Sequence, residues 1–253
     1  HVLEQHAPLL RASGRGLLPF WRRGWLWGPL FLMWLLSLGI LLLQRDLGTA
    51  MLYFVPFLVL LYLAGGRFSY LLGGLALGTA GVLVAAFFVP HVRMRFLVWL
   101  HPLAAAEGAG FQTARSLFAL GAGGLLGVGS GRGLPQITPA VHTDLIFTVI
   151  GEELGLAGGL AVLLLYFLLV VRGLALAARS RDRVGYLFGA GLAFTLGVQA
   201  LLIIGGSAGI FPLTGITLPL LSYGGSSLVS TLFGLGVLCG LGAAPGRWSD
   251  LAR

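Results

Sequence analysis

The stretch His142–Gly155, HTDLIFTVIGEELG, sets three carboxylates around the start of an apolar helix. Ionisable groups near a bilayer are costly, so each needs a partner, a route to water or a task. Composition supplies the bilayer. Of 253 residues, 57% are hydrophobic and 9% charged, against roughly 25% charged in a soluble domain. The 41 glycines fit the same class, because helices in lipid approach one another through small residues. The expected fold is an all-α, polytopic membrane helix bundle. The single cysteine, Cys239, allows no internal disulfide.

A helix needs about 20 apolar residues to cross the hydrocarbon core. Charge-free runs cover Trp25–Leu43, Leu47–Gly66, Phe68–Pro90 and Leu154–Val171, the last extended at its start by Leu145–Gly151. Val184–Gly246 carries no charge for 63 residues and divides at a Gly-, Ser-, Pro- and Thr-rich centre. Its two spans are placed near Tyr186–Ile204 and Leu228–Ala243, which makes six. The chain then reads as a basic cytoplasmic segment (1–24), three spans (25–90), a large extracytoplasmic loop (91–143), three more spans (144–246, with an outer loop at 205–227) and a cytoplasmic tail (247–253). Within the large loop, Ser116–Gly131 is uncharged but short and Gly-rich. It reads as half-helices on or dipping into the membrane, where irregular backbone is tolerated only against protein or a wet cavity.

All sixteen basic residues are Arg. With both ends cytoplasmic, Arg11, Arg15, Arg22, Arg23, Arg67, Arg172, Arg179, Arg181, Arg183, Arg247 and Arg253 fall inside, as the positive-inside rule requires. Arg45, Arg93, Arg95, Arg115 and Arg132 are left outside, and Asp144 is expected at the outer membrane surface. The net charge of +8 calls for no nucleic acid, since loops facing anionic membrane lipids account for it. Beginning with His1, the chain reads as starting partway through a longer protein.

At about 100° per residue, Thr148, Gly151 and Gly155 lie within about 40° of Asp144 on a helical wheel. Asp144 thus stands above a strip of small residues able to admit another helix or a lipid chain. Glu152 is about 80° away and roughly 12 Å deeper, and Glu153 points to the opposite face. Position alone favours a helix cap over a catalytic group at Asp144, while the deeper Glu152 and Glu153 are architectural only if interhelical Arg or hydroxyl groups partner them. Two further polar stretches share the outer face. One is the turn Gln44-Arg45-Asp46-Leu47-Gly48-Thr49-Ala50, and the other the hydroxyl-rich loop 211–227. No His/Cys cluster has zinc spacing, and no phosphate-binding loop or nucleophile elbow occurs.

Four blocks in order resemble the SEDS family (shape, elongation, division and sporulation; RodA/FtsW-like). They are QRDLGTA (44–50), GFQTARSLFALGAGGLLGVGSG (110–131), HTDLIFTVIGEELG (142–155) and PLTGITLPLLSYGGSS (212–227). The resemblance implies a peptidoglycan glycosyltransferase that polymerises lipid II, in the bacterial cytoplasmic (inner) membrane, partnered by a class B penicillin-binding protein. Family members have ten spans, and the six here match the last six. The family's essential acid carries over to Asp144. Arg45 stands where Pro is usual, and Leu145 replaces a usual Phe. Ala140 stands where Glu is common, which removes one carboxylate from any metal or proton role there.

For an inverting displacement by a sugar hydroxyl, one carboxylate base suffices, and Asp144 takes that role. The departing diphosphate needs cationic stabilisation, for which Arg93, Arg95, Arg115 and Arg45 are candidates, with Ser222 and Ser226 as further substrate contacts. Asp46, His142, Thr143, Glu152 and Glu153 are supporting polar residues. No motif demands a cofactor. A divalent cation, Mg or Mn, is the one the reaction admits, with Asp46 and Asp144 as its candidate ligands. A lipid-linked-precursor flippase and a non-catalytic scaffold for a transpeptidase are the competing classes, and polymer formation from purified components separates all three.

Overall fold

The computed structural model describes residues 39, 46–65, 68–104, 106–135, 141–180 and 182–243. Its helices are α1 (Leu47–Gly65), α2 (Phe68–Phe88), α3 (Pro90–Leu100), α4 (Phe111–Gly123), α5 (Ile146–Ala177), α6 (Arg183–Ser207) and α7 (Gly225–Ala243). Five of them, α1, α2, α5, α6 and α7, are long and apolar enough to cross a membrane. The first expected span, Trp25–Leu43, lies outside the described residues apart from Gly39. At 11 and 13 residues, α3 and α4 are too short to cross. Both lie in the segment read from sequence as a large loop. Phe87 and Phe88 are 85% and 82% exposed, part of an apolar surface that lipid covers and water would not. The protein is a multi-pass helical membrane protein.

The chain divides into two compact units, one drawn from 1–83, 173–195 and 237–253, the other from 84–172 and 196–236. In the first, Asp46 caps α1 by accepting from the Thr49 N–H at 3.0 Å and the Thr49 hydroxyl at 2.5 Å. At the far end of α1 the Arg183 guanidinium donates to the Ala64 carbonyl at 2.7 Å, where a cation also favours the helix dipole. Asp182 caps α6 through the Gly185 N–H at 3.0 Å. Gly173 and Gly189 lie against Ala193 and Ala177, the small-residue contact that brings helices close in lipid.

In the second unit, α5 is broken. Gly155 has φ 68° and ψ −166°, a region open essentially to glycine alone. The helical bonds from the Leu156 and Ala157 N–H groups to the Glu152 and Glu153 carbonyls are therefore lost, and the loop after α4 replaces each on both sides. Leu156 and Ala157 donate to the Gly124 and Leu125 carbonyls at 2.9 and 3.2 Å, while Val128 and Gly129 donate to Glu152 and Glu153 at 3.0 and 3.1 Å. These four groups keep partners across the break, as a dry environment requires.

The break folds the helix back on itself. Phe147 and Gly159 would be about 18 Å apart along a straight helix, yet the Phe147 ring packs on Gly159. Residues 146–154 form a short arm running alongside 156–177. Asp144, at the start of that arm, therefore lies beside the 156–177 helix rather than beyond the end of one uninterrupted helix. The strip of small residues is occupied by protein. Ser116 meets Thr148, Leu120 and Gly123 meet Gly151, and Gly127 meets Gly155. Of the two occupants the wheel allowed, the helix is the one present.

A Cβ at Gly155 would fall 2.4 Å from the Gly127 nitrogen, on top of a conformational cost of about 1–3 kcal/mol. Gly155→Ala is expected to lower the thermal midpoint in detergent, followed by Trp fluorescence. Gly121→Ala, which meets nothing within 4 Å, should leave the midpoint unchanged or raise it. Equal midpoints for the two variants would refute the account of the break.

Candidate functional site

Between α6 and α7, residues 208–224 form an irregular strap, built on carbonyls that side chains hold from below. The Ser116 hydroxyl donates to the Ser207 carbonyl at 2.7 Å, and the Trp99 indole to Gly209 at 2.8 Å. One Arg95 nitrogen serves Leu213 at 3.1 Å and Thr214 at 3.2 Å. Gln199 donates to Thr217 at 2.8 Å, and the Tyr166 hydroxyl to Pro219. Phe147, Tyr166, Ala200, Ile203, Ile204 and Leu218 form the apolar core around these bonds.

The strap in turn holds the segment before the α5 arm. Ser222 donates its hydroxyl to the Thr143 carbonyl while accepting from the Leu218 N–H at 2.8 Å. The Tyr223 N–H donates to the His142 carbonyl at 2.8 Å. Asp144 follows directly and is partly buried. A Cβ at Gly215 would lie 3.8 Å from its Oδ2 and 3.9 Å from an Arg95 nitrogen. That is ordinary van der Waals spacing, and it is φ 73° that calls for glycine where the strap passes both groups. Burial pushes the Asp144 carboxyl above its ordinary 3.8, while the Thr143 side-chain hydrogen bond and the Arg95 charge pull it down. The product is a carboxylate restrained in position, partly desolvated and faced by a cation, which is what a proton acceptor needs.

The remaining sequence-derived residues are distributed differently. Arg93 is exposed on α3. Arg115 is half-buried on α4, and its Nε is buried without a hydrogen-bond partner among the described residues. His142 and Ser226 are exposed. Glu152 is 8% exposed and accepts from the Leu134 N–H at 3.2 Å. Both glutamate side chains reach Gly133 of the loop after α4. Arg45 lies outside the described residues. Both Asp46 oxygens bind Thr49. Among the described residues no three His, Cys, Asp or Glu side chains gather as metal ligands, and a cation already faces Asp144. These residues do not fit a protein-held divalent cation, and no step below uses one. Sequence reasoning missed Tyr166, Gln199 and Trp99. The signal available was a lone polar group inside an apolar run, costly in lipid unless it has a partner.

A helical membrane protein with one positioned carboxylate beside a hydroxyl- and glycine-rich strap is the class that fold and site define. The chain belongs to the FtsW/RodA/SpoVE family, whose model, described as cell cycle protein, matches residues 14–244. It is 45% identical over 210 residues to the peptidoglycan glycosyltransferase RodA of Mycobacterium tuberculosis, covering 83% of this chain and 45% of that protein. It is 37% identical over 212 residues to the probable peptidoglycan glycosyltransferase FtsW of Geobacter metallireducens, covering 83% and 56%. A chain of a solved peptidoglycan synthase complex, in which polymerization and crosslinking are structurally coordinated, superposes with TM-score 0.70 at 33% identity, over 94% of this chain and 66% of that one. The chain spans about half the length of the curated relatives it matches.

Because Asp46 is spent on capping, Asp46→Asn, which caps as well, should leave the thermal midpoint nearly unchanged. Asp46→Ala should cost about 1 kcal/mol. Thermal unfolding of the purified variants checks this, and an Asn variant as unstable as the Ala one would mean the charge itself is needed.

Proposed function

We propose that the protein is a peptidoglycan glycosyltransferase that polymerises lipid II. The carrying observation is Asp144, held through its neighbours His142 and Thr143 by the strap and faced by Arg95. In this reading ionised Asp144 takes the proton from a sugar hydroxyl of one substrate. The hydroxyl oxygen bonds to the anomeric carbon of the other, and the bond to the diphosphate oxygen breaks with its electron pair leaving on the diphosphate. Inversion follows from a single displacement. A carboxyl whose pKa is raised towards the working pH is a stronger base while still ionised. The Thr143 hydrogen bond and the Arg95 charge favour the ionised form, and the Arg95 guanidinium is committed to the strap carbonyls rather than offered to a phosphate.

Arg115 takes the diphosphate in this reading, aided by exposed Arg93, because the buried Arg115 Nε lacks a partner among the described residues. A bidentate guanidinium suits phosphate oxygens. Arg172, Arg179 and Arg183 cluster where α5 gives way to α6, which supports a cytoplasmic placement of that end and an extracytoplasmic site. The end of α7 is then cytoplasmic and the start of α1 extracytoplasmic. The partner is a class B penicillin-binding protein, consistent with a structural neighbour that belongs to a synthase complex.

The test is reconstitution of the full-length protein in liposomes with lipid II and its partner, with glycan product followed by gel. Asp144→Asn is nearly isosteric and should lose at least about 10²-fold in rate, a typical general-base contribution. Full activity in a folded Asn variant would remove Asp144 from the chemistry. The rate should fall as pH drops through the Asp144 pKa. Arg95→Met removes an influence that lowers that pKa, so the acid limb should move to higher pH. A limb that stays put or moves down would show that Arg95 does not act on Asp144. Arg115→Ala should slow turnover, with Arg115→Lys restoring it only in part, and normal turnover in the Ala variant would place the diphosphate elsewhere.

A further inference from the structure

Tyr166 and Gln199 lie in helices that are otherwise apolar for most of their length, within the runs AVLLLYFLLVV (161–171) and TLGVQALLI (195–203). Packing alone needs neither polar group. A Phe ring fills the Tyr166 volume and a Met the Gln199 volume, without the cost of a hydroxyl or an amide in hydrocarbon. What the two share is their target. Gln199 holds the Thr217 carbonyl at 2.8 Å, and Tyr166 holds the Pro219 carbonyl. The Thr217–Leu218 and Pro219–Leu220 peptide groups are thereby pinned from two different helices, and Leu218 between them is 1% exposed.

Leu218 is also where the strap turns towards the carboxylate segment. Its N–H donates to Ser222 Oγ at 2.8 Å, and the Ser222 hydroxyl donates to the Thr143 carbonyl. The Thr143 side chain in turn hydrogen-bonds Asp144. An unbroken run of hydrogen bonds and adjacent peptide groups thus joins two side chains of the membrane helices to the carboxylate. The fold-back at Gly155 makes this reach possible. Thr143 and Tyr166 are 23 residues apart, about 35 Å along a straight helix, yet the short turn 218–222 bridges them.

We propose that Tyr166 and Gln199 are positioning residues for the glycosyl transfer, setting the place of Ser222 and, through Thr143, that of Asp144. The proposal rests on Asp144 being the base. Neither side chain touches substrate. Together they convert the fixed spacing of α5 and α6 into the fixed position of a group at the end of an irregular loop. A displacement of about 1 Å at a reacting group can cost on the order of 10²-fold in rate, so the loss of one tether is enough to be read.

The experiment uses the full-length protein in liposomes with its partner and lipid II. Tyr166→Phe and Gln199→Met should each lower kcat by about 10- to 100-fold, with KM for lipid II little changed. The acid limb of the pH–rate profile should move up, because the Thr143 bond that lowers the Asp144 pKa is displaced. In a Ser222→Ala background the loss from Tyr166→Phe should largely vanish, since both variants cut the same chain. Tyr62→Phe, an exposed tyrosine of the other unit, should leave turnover and limb unchanged. Unaltered kcat in Tyr166→Phe, a multiplicative loss in the double variant, or a lower thermal midpoint with an unchanged rate per folded molecule would each overturn the proposal. If Asp144→Asn is inactive when that happens, only the positioning roles fall. An active Asp144→Asn would remove the function they rest on.

Discussion

Backbone hydrogen bonding in a dry surrounding is the constraint from which the rest of this structure follows. Breaking α5 at Gly155 frees backbone groups, among them the carbonyls of Glu152 and Glu153 and the N–H groups of Leu156 and Ala157, and nothing in hydrocarbon could take them up. The glycine-rich loop after α4 supplies all four partners. That loop must therefore lie against the break, which seats α4 along the short arm, with Ser116 on Thr148 and Leu120 on Gly151. The arm then packs against the 156–177 helix, and Asp144 comes to the strap. One glycine conformation organises the whole unit.

The strap obeys the same constraint from the other side. Its irregular carbonyls would be as costly as those at the break, and side chains of α3, α5 and α6 meet them. Arg95 does two things at once, because the cation that closes the Leu213 and Thr214 carbonyls also faces Asp144. Desolvation raises the carboxyl pKa and Arg95 restrains the rise. The carboxyl is thus less solvated than a surface aspartate, with the Thr143 hydrogen bond and the Arg95 charge both favouring its ionised form.

Much of this was legible in the sequence. Hydropathy located the five described spans, because hydrocarbon thickness leaves few other uses for so long an apolar run. The HTD block and the hydroxyl-rich loop pointed to Asp144 and Ser222. The fold-back was hidden, since Gly151–Gly155 reads on a helical wheel as one more small-residue strip, and a positive φ at Gly155 is demanded only by a loop about thirty residues earlier. Asp46 looked like a site residue because its carboxylate sits in a family-like block, and its partner Thr49 shows it to be a cap. Tyr166 and Gln199 escaped notice because a periodicity-based reading averages single polar residues into their apolar neighbours.

The strap is held by its carbonyls, and a carbonyl belongs to every residue alike. Its course between Gly209 and Pro219 is thus set largely by tethers to the main chain, together with buried Thr214 and Leu218 and the positive φ of Gly209 and Gly215. Most of the side chains that draw it belong to the helices around it and not to the loop itself. The shape of the loop is therefore written largely in parts of the gene other than the part that encodes it.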